Sequence, residues 1–309
     1  MDKKRLPSFI IGGAMKAGTT FLRNALEKSN KVYIPNGEVN FFGGGSVEGV
    51  CDYPTGGSWD DERMEKYSAN FKGATEGRVI GEDSTTYLHS PKAPPRIREA
   101  LPGVKLIFLL RDPVSRTYSH YWHRVRKGRA VHPFGQELKL GSSELILRSC
   151  YSPQVEKYLK VFPRSQIKFI ISERLFEDTN EVMRSVWEFL DLEPNKSCDI
   201  DRVDKNKSLF PKSLSVQLAL NYIDCKARLW YNGRTPGSEG EGVMSGPKRL
   251  CRSLLFRLRR WNLDNDPYPP MKTEIREWLS RRLAEVNHGI SDLIGTDVTR
   301  YWPSVRKND

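Results

Sequence analysis

Long hydrophobic runs are missing from this 309-residue chain. The strongest, Leu106 to Leu110, is five residues closed off by Lys105 and Arg111, far short of the ~18 apolar residues a membrane-spanning helix needs. A bilayer-crossing protein is therefore not expected. The start, MDKKRLPSFIIGGAM, is basic but has only three apolar residues before Gly12, against ~7–15 in the heart of a secretory signal, so export is not expected either. Cysteine is scarce: Cys51, Cys150, Cys198, Cys225 and Cys251 form an odd set without a CxxC pair. That argues against a zinc site or a disulfide framework and for buried thiols in a reducing compartment. Nucleic-acid-binding signatures, internal repeats and long low-complexity tracts are absent too.

What is present is an ordinary globular composition, 38% hydrophobic, with Lys+Arg 50 against Asp+Glu 38 and a formal charge of +12. A basic surface concentrates anions without dictating a fold. Phosphorylated cofactors, sulfated or acidic glycans and anionic membrane surfaces all stay open as partners.

The chain alternates short apolar runs with helical patterns. Ser8 to Ile11 is a strand ended by Gly12-Gly13, and Thr19 to Lys28 reads as a helix with Phe21, Leu22, Ala25 and Leu26 on one face. Lys105 to Leu110 has the continuous apolar character of a parallel strand covered on both faces, and Pro113 fits the first position of a following helix. That helix would bury Val114, Tyr118, Tyr121 and Val125. Ile167 to Ile171 and Val79 to Glu82 give two more strands, and Asn180 to Leu190 a helix. Such alternation predicts an α/β fold in three layers, a central parallel sheet flanked by helices. No linker divides the strands, so residues 1–309 are expected to form one domain, with a mobile insertion at 232–262. The second half of that insertion carries Lys248, Arg249, Arg252, Arg257, Arg259 and Arg260 without an acidic residue, and Leu250, Leu254, Leu258 and Trp261 at helical spacing. Its apolar stripe either packs on the body with the charges in water, or meets an anionic acceptor or membrane surface.

Three motifs carry chemistry. Gly12-Gly13-Ala14-Met15-Lys16-Ala17-Gly18-Thr19-Thr20 follows a strand and opens a helix, whose N-terminal N–H groups suit an oxyanion. Gly13 and Gly18 have the spacing of the nucleotide-triphosphatase loop, but Thr19 stands where its lysine belongs and Lys16 lies inside the loop instead. A lysine there is a point charge able to neutralise a leaving oxygen. The second motif, Arg111-Asp112-Pro113 through Ser119-His120, begins at the carboxyl end of the strongest strand, the edge where open α/β sheets bind ligands. The third is Gly37-Glu38-Val39-Asn40-Phe41-Phe42.

The GxxKxGTT loop resembles the 5′-phosphosulfate loop of sulfotransferases that use 3′-phosphoadenylyl sulfate (PAPS). The RDPxxRxxSxY segment resembles that family's 3′-phosphate site, and the Glu38 segment its ExHFF or ExNFF stretch, as found in heparan-sulfate-type and bacterial carbohydrate sulfotransferases. The likeness continues through Gly81 to Leu88, Val155 to Pro194 and Tyr268 to Trp302, most of the chain. It implies a P-loop-like fold in which Lys16, Ala17, Gly18, Thr19 and Thr20 bind the 5′ end of PAPS. Arg111 and Ser119 would bind its 3′-phosphate, with adenosine 3′,5′-bisphosphate as product and no metal required.

Under the same resemblance Glu38 is the base and Lys16 the charge partner for transfer of a sulfuryl group to a hydroxyl, on a carbohydrate or a glycosylated small molecule. Two departures stand out. Asp83 occupies a place where several related enzymes have lysine, and Thr85 one where they have proline, which makes Asp83 an acceptor-side candidate together with His120 and His123. The animal enzymes' cysteine-bounded KGR loop is missing, and Arg259 and Arg260 are candidates to replace it. The histidines otherwise read, with His132, Arg124, Arg126, Lys127 and Arg129, as a basic surface, and no role follows for Asn206-Lys207-Ser208. A cytoplasmic, bacterial-type enzyme is the expected setting, with an excised Golgi-lumenal domain the alternative. An acidic-glycan-binding protein without catalysis, and a nucleotide kinase or triphosphatase, are the rival readings.

Overall fold

The apolar runs become the strands of one parallel sheet. In a computed structural model, residues 5–43, 59–140, 144–193, 210–232, 246–264 and 268–305 are described. Strands β1 (Phe9–Gly13), β2 (Val32–Tyr33), β3 (Val79–Asp83), β4 (Lys105–Leu110) and β5 (Ile167–Ile171) lie in the order β2-β3-β1-β4-β5, every neighbouring pair parallel. β1 is buried along its whole length and β4 from Leu106 onward. Ile11 lies opposite Asp83 on one side and Ile107 on the other. After β1 the chain turns to the β2–β3 side, and only later crosses to β4. The loops leaving β1 and β4 therefore diverge over the carboxyl edge of the sheet, opening the crevice in which such folds bind ligands.

Helices join the strands along the chain: α1 (Thr19–Glu27), α2 (Asp61–Ser68), α3 (Ala93–Ala100), α4 (Pro113–Arg126), α5 (Phe134–Leu140), α6 (Glu144–Leu147), α7 (Tyr151–Leu159) and, packed against the sheet like α1, α8 (Ser172–Glu177) and α9 (Thr179–Phe189). Their starts have local causes. The Asp60 side chain accepts from the Arg63 N–H at 2.9 Å and Asp178 from that of Glu181 at 3.0 Å, caps each worth about 1 kcal/mol. Beyond these follow β6 (Phe210–Pro211), α10 (Leu214–Asn232), α11 (Gly246–Trp261), β7 (Leu263–Asp264), α12 (Thr273–Val286) and α13 (Ile290–Ile294).

The chain divides into two units. The first comprises Met1–Arg116, Leu147–Lys205 and Trp278–Asp309; the second comprises Thr117–Ile146 and Asn206–Glu277. The first holds the sheet and a core running from Phe9 to Trp302. The second is organised by aromatics. Tyr118, Tyr121 and Trp122 of α4 gather Phe134, Phe210 and Tyr268, with ring centroids 4.9 Å apart for Tyr118–Phe134 and 4.7 Å for Phe210–Tyr268. β6 and β7 pair antiparallel, and Asn221 of α10 donates to the carbonyls of Val125 and Ala130 at 2.9 and 2.8 Å.

Several sequence expectations change here. The stripe Val114, Tyr118, Tyr121, Val125 is buried as anticipated, and of the basic residues expected at the surface around it Lys127 and Arg129 are exposed while others turn inward. His120 and Arg116 are wholly buried, and Arg124, 8% exposed, stands 3.7 Å from Glu137 and 3.8 Å from Glu144. The acids that recruit Arg124 inward come later in the chain. On α11, Leu254, Leu258 and Trp261 face outward, while Leu255 is buried and Arg259 pairs with Asp224 of α10 at 2.8 Å. Three members of the expected apolar stripe are thus exposed, and the fourth, Leu250, lies outside the residues whose side chains are described. Among the cysteines, Cys150 is buried but Cys225 is exposed. Residues 233–245 of the expected insertion, and Asn206-Lys207-Ser208, lie outside the described residues; residues 246–261 of it are helical.

Candidate active site

The strand-to-helix turn after β1 is made of backbone. The Ala14 N–H goes to the Leu109 carbonyl at 2.7 Å and that of Ala17 to the Ala14 carbonyl at 3.1 Å, pinning the turn to β4. Lys16 has φ 71° and Gly18 φ 95°; these left-handed conformations curl the turn inward. No side chain caps α1 at Gly18 and no acidic residue stands in its first turn. Its N-terminal N–H groups therefore face an approach lined by Lys16, buried Thr19 and exposed Thr20. Every group offered is a donor or a cation, the set that fits an oxyanion.

Arg111 leaves the end of β4 and reaches this turn, its Nη1 3.3 Å from the Lys16 carbonyl. The arginine's own stretch is braced from below. Its carbonyl accepts from the Tyr151 hydroxyl at 3.0 Å, and the Asp112 N–H donates to Glu173 at 3.0 Å. Asp112 caps α4 by accepting from the Ser115 N–H at 2.8 Å and also accepts from the Ser304 N–H at 3.3 Å. The Trp302 indole donates to the second Glu173 oxygen at 3.1 Å.

The turn after β3 is made of side chains. Exposed Glu38 is held at both oxygens, by the Thr85 hydroxyl at 2.6 Å and by the Asn40 amide at 3.1 Å. Thr86 donates to the Asn40 carbonyl oxygen at 2.7 Å, which fixes the amide so that its NH2 faces Glu38. Beneath, the Asn40 N–H donates to Ser84 at 2.8 Å, and Ser84 donates to Glu82 at 2.6 Å. Glu82 also accepts from the hydroxyls of Tyr67 and Tyr87. Burial pushes the Glu82 carboxyl up, against the pull of these three hydroxyls. Phe41 and Phe42 anchor the segment by packing on Tyr67, with centroids at 5.0 and 4.8 Å.

The two turns touch. Gly13, φ 133°, lies so near the Thr85 carbonyl that a Cβ there would come within 2.8 Å of it, and the Leu88 N–H donates to the Gly12 carbonyl at 2.9 Å. Asp83 ends β3 in this neighbourhood, 5% exposed, with its Oδ1 lacking a hydrogen-bond partner. Burial first, then the negative charge of Glu38, push its carboxyl up to about 7, with Arg23 opposing and Glu82 and Glu27 reinforcing the rise.

Of the residues singled out in the sequence, Lys16 to Thr20 and Arg111 thus meet at one point, and Glu38 and Asp83 act on one another beside it. Ser119, His120 and His123 belong to the second unit: Ser119 is 8% exposed on α4, His120 is wholly buried and His123 shares a 3.3 Å contact with Arg126. Arg259 is engaged with Asp224. Sequence reasoning gave no role to Asn40, Ser84, Thr85, Thr86 and Glu82. The available signal was two polar runs, ExN and STT, that the topology brings face to face.

Comparison with known proteins adds family information. A sulfotransferase-domain profile matches residues 6–213. Heparan sulfate glucosamine 3-O-sulfotransferase 3A1 of Mus musculus is 30% identical over 197 residues, 61% of this chain and 47% of the relative. The bifunctional heparan sulfate N-deacetylase/N-sulfotransferase 1 of Caenorhabditis elegans is 29% identical over 212 residues, 62% of this chain and 22% of the relative. The aligned stretch thus spans less than half the length of these relatives. Among solved structures, a sulfotransferase from Alicyclobacillus acidocaldarius shares the fold with a TM-score of 0.62, at 24% identity, over 96% of this chain and 99% of that one.

Proposed function

Since the chain belongs to the sulfotransferase-domain family, we propose that it is a PAPS-dependent sulfotransferase acting on a hydroxyl of a carbohydrate or glycosylated small molecule. PAPS supplies a sulfuryl group whose S–O bond to the 5′-phosphate breaks as a new S–O bond to the acceptor oxygen forms. The N-terminal N–H groups of α1, with Thr19 and Thr20, hold the phosphosulfate end, and Lys16 neutralises charge at the departing oxygen. Arg111, with Ser119 by the motif resemblance, takes the 3′-phosphate. Glu38 receives the acceptor's proton. The Thr85 and Asn40 hydrogen bonds leave its carboxylate little rotational freedom, and such positioning is a large part of group-transfer catalysis. Asp83 lines the acceptor side.

The observation that carries this reading is the continuity of contacts across one sheet edge: Arg111 against the Lys16 carbonyl, and Thr85 against Gly13 while its hydroxyl holds Glu38. Calorimetric titration tests the nucleotide half. Adenosine 3′,5′-bisphosphate should bind at least about tenfold more tightly than adenosine 5′-monophosphate, the value of one charge-assisted contact. Equal affinities would defeat the reading, and magnesium-dependent ATP turnover would favour a kinase or triphosphatase. Glu38→Gln should lower sulfate transfer to glycan hydroxyls by about 10²–10⁴-fold while leaving bisphosphate affinity within a factor of about two. Loss of both together would remove Glu38 from the role of base.

A further inference from the structure

Helix α11 presents a surface to which the proposed transfer reaction assigns no step. At about 100° per residue, Leu254, Leu258 and Trp261 fall on one flank of the helix, 56%, 39% and 69% exposed. Leu255 and Arg259 form the inward side. Next to the apolar ridge stand exposed Arg257 and Arg260, and Lys212 lies 5.9 Å over the Trp261 ring. The sequence of the helix adds Lys248, Arg249 and Arg252 and contains no acidic residue.

Three occupants can be weighed against this chemistry. A second copy of the chain would bring Arg257 and Arg260 against themselves across a two-fold axis, like charges with no acid on the helix to compensate. A polyanionic glycan would satisfy the arginines but give Leu254, Leu258 and Trp261 nothing. A bilayer surface with anionic headgroups satisfies both at once, taking the leucines and the tryptophan at the headgroup–acyl boundary and the arginines at the phosphates. We propose that α11 is an interfacial helix that docks the protein on anionic membrane surfaces, its apolar ridge inserted to the boundary and its arginines on the headgroups. No helix among the described residues is long and apolar enough to cross a membrane, so this attachment is peripheral and reversible.

Co-sedimentation of the full chain with vesicles tests this. Binding to vesicles of mixed phosphatidylserine and phosphatidylcholine should exceed binding to pure phosphatidylcholine by about tenfold or more, and should fall as salt rises. Leu254→Ser combined with Trp261→Ser should lower partitioning by about tenfold or more, and Arg257→Glu with Lys212→Glu by a similar factor. All four positions are exposed, so unchanged thermal melts and unchanged bisphosphate binding verify folding. Absence of binding to the phosphatidylserine vesicles overturns the proposal. So does binding that the Leu254 and Trp261 changes leave intact, heparin binding with no vesicle binding, or a concentration-dependent dimer that those changes dissolve.

Discussion

The turn after β1 and the turn after β3 lie side by side and are built in opposite ways. The first is a backbone device: its shape comes from the left-handed residues Lys16 and Gly18 and from main-chain bonds to β4, and what it offers a ligand is main-chain N–H groups plus one lysine. The second is an interlock of side chains, in which Thr86 fixes Asn40, Asn40 and Thr85 fix Glu38, and buried Glu82 supports them through Ser84. A backbone device suits a ligand end that does not vary. A side-chain interlock can be altered one residue at a time. Under the proposed function, the division of labour between donor and acceptor would have a counterpart in the materials of the two turns.

Three changes would break or sharpen that contrast. The largest effect is expected from Lys16→Ala, which removes the lysine from the backbone-built turn. Sulfate transfer should fall by about 10²–10³-fold, with the melting temperature nearly unchanged because main-chain bonds keep the shape. A collapse in stability instead would show that the side chain builds the turn.

Asp83→Asn comes next. The Asp83 carboxyl is raised from 3.8 to about 7 in the folded chain, so the native state holds its proton more tightly than the unfolded one. The raised value therefore costs nothing below about pH 4, and stability is lost progressively as pH climbs to about 7. Removing the charge should stabilise the protein by roughly 2 kcal/mol more at pH 8 than at pH 5 in urea denaturation. An equal gain at both values would mean that Asp83 stays ionised throughout.

The smallest effect belongs to Thr86→Val, which frees the Asn40 amide to turn. A fall in kcat of about five- to tenfold, equivalent to roughly one hydrogen bond, with bisphosphate affinity unchanged, would mark it as a positioning residue. A matching change in nucleotide affinity would couple the two turns.

Much of the first turn was legible because its determinants are contiguous. Strand, glycines, Lys16 and helix occupy one short stretch, and the fully apolar β4 announced a covered strand with Arg111 at its end. The second turn was not, because its parts come from three places. Glu38 and Asn40, the run Glu82 to Thr86, and Tyr67 meet only once β2 pairs with β3 and the Val39 N–H donates to the Asp83 carbonyl at 3.2 Å. The two-residue β2 carries too few positions for a periodicity to register. The arginines of α4 misled for a related reason: charge along a helix does not show which acids will fold back on it, and Glu137 and Glu144 do. On α11 the heptad-like spacing was read correctly as helical, but spacing alone does not say whether a stripe turns toward protein or away from it.

The knot around Asp112 has a consequence for how the chain may be trimmed. Trp302 and Ser304 sit some ninety residues beyond the end of the family-matched stretch at 213, yet they fasten Glu173 and Asp112, the supports of Arg111. A fragment cut where that profile match ends would keep the three motifs of the site and lose the buckle that holds the arginine in place.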